Sequence, residues 1–378
     1  MVEQGHIVNF ANSEKLNISF RNLTYYATSG KKDKILKNIS GTFETGRLCA
    51  ILGPSGAGKT TLLNILSGLT KPAPDSTFLI NDKCISKKYI RRKCSYIPQD
   101  ITFEKRFTVL ETLKFAADLK QPDFVSNEEK QVIVNNVIES LGLQKCADTF
   151  VEKLSGGERK RLAMGEELLS NPGLMILDEP TSGLDSVTTV QIVTCLRKIA
   201  QSGRTVICVI HQPSSNILDL FDDFYVLSDG QCLYYGPVVD VIPAFEAAGY
   251  HCPNYYNKAD FVVEVASHER KGNMDFLISN AKNQHIIQNI EPKSNLWPST
   301  TTLSTISYSV QSLTVSVHSE CGTVQSLPES DNTINLADKK EMNNFTYPIS
   351  RWKQYGILVR RGFLCQRRNF VSFLFSII

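Results

Sequence analysis

What the 378-residue chain lacks narrows it before any motif is read. Its ten cysteines are scattered, with Cys49, Cys84, Cys146 and Cys208 among them, and no C-x-x-C pair occurs. That excludes a disulfide framework and reads as reduced core residues of a cytosolic protein. An excess of charge is also missing. The formal net charge is +3 and no long basic run appears, so nothing argues for a nucleic-acid surface. Met1 is followed by the largely polar Val2 to Asn12. Without the apolar h-region of a signal peptide, the N-terminal side is expected to stay in the cytosol. What is present, 42% hydrophobic and 21% charged residues, suits a globular chain with one large domain or two ordinary ones.

The most informative stretch is Gly53-Pro54-Ser55-Gly56-Ala57-Gly58-Lys59-Thr60-Thr61, which fits the phosphate-binding pattern G-x-x-x-x-G-K-[ST]. Its glycines let backbone N–H groups turn inward around phosphate oxygens, Lys59 brings a point charge to the β- and γ-phosphates, and the Thr60 hydroxyl is a ligand for Mg²⁺. The flanks agree. Leu48 to Leu52 is an apolar run suited to a buried parallel strand, and Thr61 to Leu66 reads as a helix.

Around this centre the chain alternates in character. Residues 16–43 hold two alternating runs joined by the turn-rich Ala27 to Asp33, which predicts an antiparallel β region. Tyr25, just before that turn, is either an adenine-stacking aromatic or an ordinary strand residue. Lys83 to Lys93 is basic and turn-like, and Cys94 to Gln99 is a short strand that ends on a possible metal contact, Gln99. Thr108 to Leu119 and Ser126 to Leu143 read as helices, the second opening with the capping box Ser126-x-x-Glu129.

Three further stretches carry chemistry. Leu154-Ser155-Gly156-Gly157-Glu158 has capping-box spacing, and its two glycines each lower helix propensity by about 1 kcal/mol. A purely structural cap would avoid them, so they are expected to bare backbone N–H groups for an anion at the helix start. Leu174 to Leu177 is a buried strand ended by Asp178 and Glu179, about 120 residues after the P-loop. It is expected beside the P-loop strand, with Asp178 holding Mg²⁺ and Glu179 deprotonating water. Thr205 to Ile210 is another buried strand, with His211 at the end where open α/β sheets bind ligands and a γ-phosphate contact is expected. Val187 to Ala200 reads as a helix, and Asp229-Gly230 between two apolar runs signals a hairpin.

Taken in order, the P-loop, Gln99, Leu154 to Glu158, Asp178-Glu179, Ser182-Gly183-Leu184-Asp185 and His211 resemble the nucleotide-binding domain of an ABC ATPase. Ser155 to Arg161, Pro180 to Ser186 and Ile210 to Ser215 look like the G subfamily, the White-type half-transporters. The resemblance implies an α/β P-loop NTPase of the ABC type, with an antiparallel β subdomain and a helical signature subdomain at about residues 100–170. It further implies a head-to-tail homo- or heterodimer in which Ser155 and Gly157 of one chain face the nucleotide held by Gly53 to Thr61 of the other. Gln99 would be a Mg²⁺ and transmission residue, Glu179 the general base and His211 the γ-phosphate contact. Two positions depart from the family pattern: Lys258 stands where proline is usual and Gly165 where alanine is usual.

The likeness spans about residues 15–270 and lapses over 271–344, a Ser/Thr-rich linker expected to be disordered; between Ser294 and Ser330, sixteen of thirty-seven residues are Ser or Thr. It returns over 345–378. Arg351 to Arg361 has the pattern of a basic amphipathic helix, either at an anionic membrane surface or simply solvated. Phe370 to Ile378 is nine mostly apolar residues where about twenty span a bilayer, so the chain is expected to stop inside its first transmembrane helix. The leading reading is an ATPase driving export of a lipid, sterol or other hydrophobic substrate, at a membrane and on its cytoplasmic side. The alternative is a truncated ATP-binding regulatory or dominant-negative partner of a full-length half-transporter, located in the cytoplasm. A cytosolic ABC ATPase acting on ribosomes or DNA is disfavoured, because such proteins usually carry two P-loops or long coiled coils.

Overall fold

Alternation along the first strands and continuous apolarity along the later ones separate the chain into two sheets. The structure, a computed structural model, describes residues 14–27, 33–84, 87–211, 213–287 and 349–375. β1 (Ile18–Tyr26) and β2 (Lys34–Phe43) pair antiparallel with Ile18 opposite Phe43. β3 (Leu48–Leu52), buried at every residue, leaves them for the second sheet. β4 (Thr77–Ile80) and the short β5 (Lys83–Cys84) complete a four-stranded sheet in the order β2-β1-β4-β5.

The second sheet runs β10-β9-β3-β8-β7-β6, where β6 is Cys94–Ile97, β7 Leu174–Asp178, β8 Thr205–Val209, β9 Asp223–Ser228 and β10 Gln231–Pro237. All neighbours are parallel except β9 and β10, which form the expected hairpin with Asp229 and Gly230 both at positive φ. One expectation fails. The Asp178-Glu179 strand, β7, does not lie beside the P-loop strand, because β8 stands between, pairing Leu48 with Val206 on one side and Leu174 with Thr205 on the other. Both β7 and β8 are buried along their whole length, so composition gives no reason to rank one nearer the centre. Side chains alternate across the sheet into two cores: Leu48, Ala50 and Leu52 face one, Cys49 and Ile51 the other.

Helices follow the expected caps. α1 (Lys59–Leu66) continues the P-loop, and α2 (Lys87–Lys93) turns the basic stretch read as turn-like into two helical turns after β5. α3 (Val109–Lys120), α4 (Asn127–Ser140) and α5 (Gly156–Leu168) each start on a complete capping box, at Thr108, Ser126 and Ser155. They share one apolar core through Leu113, Val134, Val137, Leu141 and Leu162. At Gly165 a Cβ would lie 3.0 Å from Leu141 Cδ1 and 3.2 Å from Leu113 Cδ2, so glycine sets how closely the three helices meet.

α6 (Ser186–Gln201) is capped by Asp185; α7 (Ser215–Leu218), α8 (Val241–Ala247) and α9 (Lys258–Ala266) follow. The linker expected from 271 begins instead with α10 (Met274–Ile287), whose Leu277 and Ala281 are buried in the domain. Its helical apolar spacing lies within the expected linker but ahead of the Ser/Thr-rich run. That run, Ser294 to Ser330, lies outside the described residues.

The C-terminal stretches read separately from sequence form one helix, α11 (Arg351–Phe375). Its basic side lies on the helical group. Arg368 donates to both carboxylate oxygens of Glu111 at 2.7 Å, and Lys353 reaches Asp123 at 2.7 Å. Trp352 and Phe363 stay 85% and 67% exposed. Among the described residues no helix is long and apolar enough to cross a membrane; Ser376 to Ile378, the end of the expected transmembrane start, lie outside them.

Candidate nucleotide site

The ends of β3, β7 and β8 bring the candidate residues to one side of the sheet. After Leu52 the chain turns through Gly53, where φ is 148° and a Cβ would sit 2.2 Å from the carbonyl oxygen of Leu227; no other residue fits. Gly58, at φ 100°, opens α1. Lys59 is 9% exposed, and its ammonium folds back on the loop, donating to the carbonyls of Gly53 and Pro54 at 2.8 Å each. Burial lowers its pKa, and the charges of Glu179 and Asp178 oppose that shift. Ser55, Gly56 and Thr60 face outward.

A cleft of about 700 Å³ opens here, lined by Ser55, Lys59, Glu179, Ser182, His211 and Ser214 among others. Glu179 ends β7 in the left-handed region, φ 46°, a strained conformation for a side chain of its size and one that recurs at functional sites. Its Oε2 accepts from Gln99 Nε2 at 2.9 Å, and the same amide reaches Ser182 Oγ at 3.5 Å. That leaves the side-chain carbonyl oxygen of Gln99 as the atom that could face a metal ion. Asp178, almost buried, accepts from the Tyr96 hydroxyl at 3.3 Å. Burial and the charge of Asp178 push the Tyr96 phenol up to about 12.

A divalent cation fits this donor set. Thr60, Gln99 and Asp178 present hard oxygens, and among the described residues no group of three or more carboxylates, histidines or cysteines forms a cage. Mg²⁺ is commonly held this way, by one or two protein carboxylates completed by substrate phosphates and water.

Other candidates stand apart from the cleft. Ser155 caps α5: its Oγ accepts from the Glu158 N–H at 3.3 Å and donates to Glu158 Oε2 at 2.7 Å; Ser155 and Gly156 are exposed and Gly157 is buried. Gly157 has a reason of its own within the chain. A Cβ there would fall 2.2 Å from Thr188 Cγ2, and one at Gly156 would meet Leu184 Cδ2 at 3.1 Å. Glycine at 157 therefore has a packing reason inside the chain, because α5 and α6 approach too closely there for a Cβ, while at Gly156 the space is tight. Tyr25 is half-buried against the core of the four-stranded sheet and opposite Leu36 in β2; Tyr26, 41% exposed beside Lys34, is the freer ring. Neither lines the cleft.

Two residues of the site were not singled out from sequence. Tyr96 was legible only as a strand residue, although its register opposite Ile176 in β7 aims it at Asp178. Lys160, in α5, donates to the main-chain carbonyl of Gln99 at 2.8 Å.

Known proteins are similar to this chain over the region that holds the cleft. The profile of the ABC transporter family matches residues 36–182. ABC transporter G family member 1 of Dictyostelium discoideum is 42% identical over 265 residues, 66% of this chain and 33% of that protein. Protein white of Drosophila melanogaster is 41% identical over 241 residues, 61% of this chain and 35% of that protein. The chain thus spans about a third of the length of these relatives. Among solved structures, cbiO1 from Clostridium perfringens, part of the ABC transporter complex cbiONQ, is similar at 26% identity. Its TM-score is 0.54, covering 62% of this chain and 94% of that one.

Proposed function

Because the chain carries an ABC-type ATPase domain of the kind found in G-family transporters, we propose that it binds and hydrolyses Mg-ATP to drive export of a lipid, sterol or other hydrophobic substrate. The observation that carries this reading is the meeting of Lys59, Glu179 and His211 around one cleft at the strand ends, with Gln99 hydrogen-bonded to Glu179. In this reading Lys59 releases the Gly53 and Pro54 carbonyls and turns to the β- and γ-phosphates, a shift that its half-desolvated ammonium favours once anionic oxygens replace neutral ones. Thr60, Gln99 and Asp178 hold Mg²⁺, which when bound neutralises charge on the phosphates.

Glu179 takes a proton from water as the water oxygen attacks the γ-phosphorus. The bond from that phosphorus to the β–γ bridging oxygen breaks, giving ADP and inorganic phosphate. His211, exposed at the cleft, donates a hydrogen bond to the γ-phosphate.

The start of α5, with Ser155 and Gly156 exposed and Gly157 buried beside Thr188, suits the nucleotide of a second half-transporter, identical or different, in a head-to-tail ATP sandwich. α11, basic on the side that docks on the domain and carrying Trp352, Tyr355 and Phe363 outward, suits the cytoplasmic surface of a membrane. Lys59→Ala tests the core of the reading. Circular dichroism should be unchanged while nucleotide titration shows most ATP affinity gone, and unchanged affinity would remove the P-loop from the account.

A further inference from the structure

Lys160 lies one turn into α5 and is half-buried. Asp100, Glu179 and Asp178 are near enough to act on its charge, yet its ammonium spends a 2.8 Å hydrogen bond on a neutral group, the main-chain carbonyl of Gln99. The path continues from that residue, since the Gln99 amide donates to the carboxylate of Glu179 at 2.9 Å. Two consecutive hydrogen bonds thus connect the helix whose exposed start holds Ser155 with the residue at the end of β7 that would activate water.

We propose that Lys160 is a positioning residue that transmits the placement of α5 to Glu179 through Gln99. A nucleotide engaged by Ser155 and Gly157 of one chain then sets the general base in that same chain's own site. This rests on the ATP-sandwich reading above and extends it: the two composite sites communicate inside each chain as well as across the interface. The chemistry suits a relay. An ammonium has three rotatable donors and no fixed fork, so its bond to a carbonyl is remade as the helix shifts, where a bidentate ion pair would lock it. The bond lengthens out of range with a displacement of about 1 Å.

Lys160→Met keeps the length and apolar stem of the side chain and removes only the donor and charge. In the full chain it should lower kcat about tenfold, the scale of losing one charge-assisted hydrogen bond. KM for ATP and the affinity for Mg-ADP should stay within about twofold.

The distinguishing readout is a cycle with Gln99→Ala. With the amide that reaches Glu179 gone, Lys160→Met should change kcat by less than about twofold. A merely structural role for Lys160 gives the same loss in both backgrounds and overturns the proposal, as does an unaltered kcat in the single variant. Lys160→Gln serves the same cycle should the methionine variant not fold. A wild-type rate per chain that does not rise with chain concentration overturns the sandwich reading and this coupling with it. A rate that does rise, and is indifferent to Lys160→Met, overturns the coupling alone.

Discussion

Replacing Gly157 with alanine separates what this glycine does for the fold from what it does for a nucleotide. The added Cβ falls 2.2 Å from Thr188 Cγ2, where carbon atoms pack at about 3.5–4.0 Å. The methyl it meets cannot swing away freely, because it sits on a β-branched side chain whose Oγ1 donates to Asp185 Oδ1 at 2.6 Å. Overpacking costs about 1–3 kcal/mol, and a held rotamer puts this case near the upper end. Alanine recovers about 1 kcal/mol as the better helix former, so the net loss should be about 1–2 kcal/mol. Thr188→Ser removes Cγ2 and keeps the hydroxyl. In that background Gly157→Ala should become neutral or stabilise by up to about 1 kcal/mol. Urea unfolding of the four proteins measures both differences. The same destabilisation in both backgrounds would refute the clash as the reason for glycine. The double variant is also the proper vehicle for asking whether Gly157 contacts a partner's nucleotide, since a larger residue introduced alone disturbs the α5–α6 contact first.

Lys258 occupies the first position of α9, after the N-cap Asn257 at φ −66° and ψ 117°, an extended conformation that tolerates a following proline. Lys258→Pro should therefore raise stability by about 0.4–1 kcal/mol in thermal unfolding, and a loss would show that the lysine N–H or side chain is needed there. The full chain should float with anionic vesicles and a chain ending before Arg351 should not; equal behaviour of the two would remove α11 as a membrane contact.

Most of the candidate site is legible in the sequence because the patterns that suit phosphate binding are local. Gly53 to Thr61 and Asp178-Glu179 are contiguous stretches whose residue types each do one job, and the buried strands that carry them announce themselves by apolarity. Strand order was not legible: β7 and β8 are equally apolar, and only pairing tells which neighbours the P-loop strand. Two glycines in the start of α5 look wasteful by propensity, which is a one-helix property, while the space at Gly157 is taken by Thr188 on α6 and that at Gly156 is narrowed by Leu184. Tyr96 and Lys160 are not legible for the same reason, since each is hydrogen-bonded to a partner distant in sequence, Asp178 and Gln99. The C-terminal helix was read in two pieces because its charge pattern changes along its length, whereas its backbone does not.

The central claim is that Glu179 activates water in a site completed by a second chain, and Glu179→Gln measures it most directly. The amide keeps the shape of the side chain and cannot take a proton, so Mg-ATP should still bind while hydrolysis falls roughly 10²–10⁴-fold. Unhydrolysed nucleotide should then hold two chains together by ligand linkage, seen in sedimentation as a dimer that appears with Mg-ATP and disappears without it. Wild-type hydrolysis by Glu179→Gln would contradict the account, since another residue would then be the base.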